Sequence, residues 1–137
     1  MNNEIEHPTL YVVRQPETEA QIEELLRYLT YTELGLIIAT NTEPCVLMAS
    51  TLMGESPIVN SDERLNPFDE AAEKPEQFAA RMESIIHELA HEEGVQKPVV
   101  VITESLNIAA LTPLKVDAGG VLAIYERPTG REFDVLL

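Results

Sequence analysis

LGLIIATNTEPCVLMASTL, residues 34–52, is the stretch on which the fold turns. Two apolar runs of strand length, residues 34–40 and 45–52, flank the polar segment Asn41-Thr42-Glu43-Pro44, which has the composition of a turn. The pair reads as a β-hairpin of buried strands, and a hairpin commits this part of the chain to antiparallel pairing. Cys45 opens the second run, where a buried thiol packs as a small hydrophobe and does not act as a nucleophile.

Before the hairpin, residues 1–8 are polar, end in His7-Pro8 and read as a loose tail. His7 has no partner at a useful spacing and receives no role. Residues 9–14, TLYVVR, form a short β-branched strand expected at a sheet edge. A helix runs from Pro16 to about residue 29, opened by Pro-Glu. Ile22, Leu25, Leu26 and Leu29 mark its buried face, and Glu17, Glu19, Glu23 and Glu24 its wet one. Residues 53–69 are irregular, broken by Gly54, Pro57, Asn60, Asn66 and Pro67, with one short strand expected near Ile58-Val59. Asp62-Glu63 and Asp69-Glu70 sit in this loop without the spacing of a calcium site, so a solvated loop is the expectation.

The longest helix is PEQFAARMESIIHELAHEEG, residues 75–94. Pro75 suits its first position, Glu76 the positive end of its dipole and Gly94 its left-handed cap. Phe78, Met82, Ile85, Ile86 and Leu89 form one stripe; Glu83, His87, Glu88 and His91 lie opposite. Strands follow at residues 98–103 and 121–126, with a last short one at 132–136 after a Pro128–Gly130 turn. Residues 106–114 hold Pro113 and read as an edge strand or an irregular segment. The expected fold class is α+β: an antiparallel sheet flanked by two main helices. Residues 1–15 form a tail and edge strand, and residues 16–137 a single domain.

Composition narrows the function. Lys and Arg number 9 against 24 Asp and Glu, a formal net charge of −15. Residues 62–93 alone carry ten acids against three bases. Such a field repels nucleic-acid phosphate and anionic membrane, so neither is an expected partner. One cysteine excludes an internal disulfide framework and suits a reducing cytoplasm, the expected location. No apolar run reaches the length of a membrane span, and the polar N-terminus does not resemble a signal peptide.

His87-Glu88-Leu89-Ala90-His91 matches the H-E-x-x-H pattern, which places two imidazoles over one spot with a glutamate able to act as general base on metal-bound water. His87 and His91 would be zinc ligands and Glu88 the catalytic base. The third histidine of the longer metzincin pattern falls at Lys97, which cannot ligate zinc; Glu104 and Glu126 are alternative third ligands. The competing reading is a solvated helix face. No cofactor other than that zinc is expected.

From residue 16 onward the order of elements resembles the profilin-like domain of the roadblock (dynein light chain) family. The resembling segments are GLIIATNTEPCVLMAST for a first hairpin, FAARMESIIHELAHEEG for the helix, and VVVITESLNIAALTPL and GGVLAIYE for the closing strands. The resemblance implies a non-catalytic interaction or regulatory module, a homodimer acting on a protein partner. The charge adds that the partner surface would be basic and met by Glu83, Glu88, Glu92 and Glu93. The alternative is a compact zinc metallopeptidase built on residues 87–91.

Overall fold

Two five-residue strands of β-branched and aliphatic side chains, β1 (Leu10–Arg14) and β4 (Val99–Thr103), lie side by side and parallel, with Leu10 paired to Val99 and Arg14 to Thr103. Leu10, Val12, Val13 and all of Val99 to Thr103 have no solvent exposure, because helices cover both faces of this part of the sheet. The computed structural model describes residues 8–30, 34–54, 60–94 and 98–137. Its elements follow as β1, α1 (Glu19–Thr30), β2 (Ile37–Ala39), α2 (Glu43–Met53), β3 (Asn60–Ser61), a 3-10 turn (Glu63–Leu65), α3 (Pro75–His91), β4, α4 (Ser105–Ala109), β5 (Val121–Arg127) and β6 (Gly130–Val135).

The strands form one mixed sheet in the order β3-β2-β4-β1-β5-β6. β2, β3, β4 and β1 are parallel neighbours, whereas β5 runs antiparallel to β1, and β6 antiparallel to β5. Side chains alternate across the pleat. Leu10, Val12, Val99, Val101, Leu122 and Ile124 meet α3 through Phe78, Met82, Ile85, Ile86 and Leu89. Tyr11, Val13, Val100, Ile102 and Val121 face the opposite layer, where α1 contributes Leu25 and Leu29 and α2 contributes Cys45, Met48 and Ala49.

Strands and helices around a single sheet are present as expected, but the antiparallel, profilin-like arrangement is not. The hairpin is the point of departure. Residues 43–53 are the helix α2, so β2 is joined to its next strand by a crossover. Glu43 and Pro44 occupy the first helical turn, Gly54 closes the helix at φ 71, and the buried Cys45, Met48 and Ala49 recur at helical spacing. A short, mostly apolar run such as residues 45–52 does not distinguish by period a buried strand from a helix. Residues 9–14 contain a central strand and not an edge strand, since β1 is paired on both sides. In the segment 106–114 the chain forms most of α4 and then an irregular stretch. The strand expected at Ile58-Val59 and the tail of residues 1–7 lie outside the described residues, while Pro8 is buried.

Candidate functional site at the strand ends

The chain leaves β1 and β4 on opposite sides of the sheet. After β1 it passes through α1, which packs with Tyr11 and Val13; after β4 it passes through α4, whose Ile108 joins the cluster around α3. Diverging connections at neighbouring parallel strands open a crevice outside their carboxyl ends, the place where open α/β sheets hold their ligands. The residues that follow each strand converge there: Arg14 and Gln15 from β1, Thr40 to Thr42 from β2, Cys45 from α2, and Thr103 and Glu104 from β4.

The base of this region is a buried polar network. The Gln15 N–H donates to the Thr103 carbonyl at 3.0 Å and the Thr40 N–H to the Ile102 carbonyl at 2.9 Å, so the backbone pairing extends just past the strand ends. The hydroxyls of Thr40 and Thr103, both without solvent exposure, lie 2.6 Å apart. The Leu65 carbonyl accepts from Thr40 Oγ1 at 2.9 Å and from Asn107 Nδ2 at 3.0 Å, which fixes the 3-10 turn against the ends of β2 and β4. Satisfying buried hydroxyl and amide groups in this way holds the loop in one position.

Above that base, Cys45 Sγ donates to Gln15 Oε1 at 3.3 Å. Cys45 is fully buried, and burial pushes its thiol up to about 11, with the Thr42 hydroxyl pulling slightly the other way and the Glu104 charge adding to the rise. Thr42 Oγ1 lies beside the sulfur but outside hydrogen-bond geometry and has no partner among the described residues. A protonated, buried thiol is no nucleophile. The Glu104 side chain does not cap α4, although Glu104 stands at its N-cap position. Arg14 is partly committed elsewhere: Nη1 donates to the Val116 carbonyl at 2.7 Å and Nη2 lies 3.7 Å from Glu17. Beside the end of β1, Gln21, Glu24, Asp117, Gly119 and Gly120 border a cavity of about 200 Å³.

The H-E-x-x-H residues are elsewhere. His91 Nε2 lies 3.7 Å from Glu126, whose backbone N–H meets Thr9 Oγ1 at 3.3 Å, so these groups sit by the amino end of β1. His87 and His91 are exposed and stack with ring centroids 4.5 Å apart. Glu88 is bound to Arg64, which Asp62 also engages at 2.9 Å. Glu83 pairs with Arg131 at 2.5 Å, and Glu92 and Glu93 are exposed at the end of α3. Among the described residues no three His, Cys, Asp or Glu side chains are grouped to hold a metal; Glu104 lies at the opposite end of β4, and Lys97 is outside those residues. Gln15, Thr40 and Thr103 were not singled out by sequence, because their convergence depends on parallel strand order. The signal was their position just before or after a strand.

No family model matches the sequence, and no curated protein matches it. Solved structures do. The chain is similar to a phosphoserine phosphatase from Entamoeba histolytica, solved as a histidine-to-alanine mutant with phosphoserine, at a TM-score of 0.75 and 10% identity over 92% of this chain and 95% of that one. The alpha-ribazole phosphatase from Shigella flexneri gives a TM-score of 0.70 at 18% identity, over 93% and 95% of the two chains. A mycobacterial glucosyl-3-phosphoglycerate phosphatase gives 0.65 at 14%, over 93% and 96%. The chain therefore shares the fold of these phosphatases. This overturns the roadblock resemblance and, with it, the non-catalytic interaction module that rested on it. The zinc metallopeptidase loses its support as well: the fold is a different one, and the two histidines lack a third ligand among the described residues. No described helix is long and apolar enough to cross a membrane.

Proposed function

We propose that the protein acts on a small phosphate ester held in the crevice at the carboxyl ends of β1, β2 and β4. The observation that carries this reading is the convergence of Arg14, Gln15 and Glu104 at the diverging connections of β1 and β4, in a fold shared with phosphatases. A covalent route would need a nucleophilic side chain in the crevice. Among the described residues, no histidine lies there and the Cys45 thiol is protonated. Attack by water, with Glu104 as its base, is the route we adopt. Glu104 takes the proton of the attacking water, the new P–O bond forms opposite the ester oxygen, and the departing oxygen is protonated from solvent. Arg14 faces the charge that builds on the phosphoryl oxygens.

The test measures phosphate release from para-nitrophenyl phosphate and phosphoserine, together with acid-quench trapping of any phosphorylated protein. Turnover without a trapped phosphoenzyme is expected, falling about a hundredfold in Glu104→Gln. A trapped phosphohistidine would remove the water route. A protein that neither hydrolyses these esters nor is thermally stabilised by them would remove the reading as a whole.

A further inference from the structure

We infer that Gln15 is a ligand-contacting residue whose amide N–H groups face the crevice, and that Cys45 is the positioning residue that turns them there. This rests on the strand-end crevice being the phosphate-ester site.

Gln15 is held at both ends. Its backbone N–H is tied to the Thr103 carbonyl at 3.0 Å, and Pro16 restricts it to extended backbone geometry. At the tip, the Cys45 sulfur stands 3.3 Å from Oε1. A thiol that keeps its proton offers a donor, so the amide presents its carbonyl oxygen to the sulfur and its nitrogen to the other side. Cys45 is fully buried in the α1 and α2 layer, whereas Gln15 is partly exposed; the free edge of the amide therefore lies toward solvent and the crevice. Two N–H donors on a neutral side chain suit the acceptor oxygens of a phosphate ester. They also supply this recognition without a second positive charge beside Arg14.

The experiment has two arms. In the first, ¹⁵N relaxation of the Gln15 side-chain amide is recorded in the free wild type, Cys45→Ala and Cys45→Ser. An ordered amide in the wild type and in Cys45→Ser, which keeps a donor, with a mobile one in Cys45→Ala, is expected. Equal order in all three would overturn the positioning role of Cys45. In the second arm, phosphoserine binding is titrated. Gln15→Leu should bind about tenfold more weakly, Cys45→Ala about threefold more weakly, and Cys45→Ser near wild type. Unchanged binding in Gln15→Leu, with the wild type binding, would overturn the ligand contact. A wild type that does not bind phosphoserine removes that contact along with the proposed substrate class, while the first arm still decides the orientation of Gln15.

Discussion

The thiol of Cys45 is fully buried, and its ionisation is pushed up to about 11 by burial. Its proton is therefore held more tightly in the folded chain than in the unfolded one. The sign follows from linkage: the neutral thiol's contribution to stability is complete below the unfolded pKa and declines as pH rises toward the folded one. Stability should fall between about pH 9 and pH 11, and Cys45→Ala should flatten that part of the curve, as read by urea midpoints across the range. Alkylation of the native protein at pH 8 should be at least about a hundredfold slower than in urea. A thiol that reacts equally fast in both states would show that the site is open. Gln15, Thr40 and Thr103 were legible only as polar residues at strand ends; Cys45 was legible as buried because it opens an apolar run.

Among the elements, α3 was set by local signals: Pro75 at its start, an apolar stripe along one side and Gly94 beyond its end. Arg81 on this helix does more than the stripe suggests. It donates to the carbonyls of Arg64 and Asn66 at 2.8 and 2.6 Å and of Pro67 at 3.1 Å, and it clasps Glu73 through Nε at 3.0 Å and Nη2 at 2.5 Å. Its guanidinium also lies 4.8 Å from the Phe78 ring centroid. The loop it holds carries Leu65, whose carbonyl ties the loop to β2 and β4 through Thr40 and Asn107. Arg81→Met would leave several carbonyls without their donor and should cost about 3 kcal/mol, measured by urea unfolding. Arg81→Lys should recover less than half of the loss, since an ammonium cannot reproduce the planar fork. A loss well below about 1 kcal/mol in Arg81→Met would mean that the loop is held by Leu65 and Phe68 alone. α2 departs from the hairpin reading because its exposed face also carries an apolar residue, Leu47, so no polar stripe marks the helical period.

In the whole molecule the order of protection should follow the sheet from its centre outward. β1 is paired on both sides and buried on both faces, and β4 likewise; β6 is an edge strand with four of its six residues exposed. Hydrogen exchange should be slowest at the amides of Val12, Val13, Val101 and Ile102 and much faster along β6. Protection of β6 equal to that of β4 would point to a covered edge and hence to an assembly this chain forms in solution. The edge carries Arg131, Glu132 and Asp134, side chains that oppose pairing with another strand.

By itself the sequence determined the elements whose signals are local: α1 and α3 from period and capping residues, β4 and β5 from runs of Val, Ile and Leu, and the burial of Cys45. The tertiary structure alone decided that residues 43–53 are a helix, that β1 is central and that the sheet is mostly parallel. These depend on pairings between residues some ninety positions apart, such as Leu10 with Val99, which no local period encodes. The candidate site belongs to the second group. Arg14, Gln15, Thr40, Cys45, Thr103 and Glu104 come from three separate strands and a helix. Only the parallel order of β2, β4 and β1 brings their following loops to one end of the sheet.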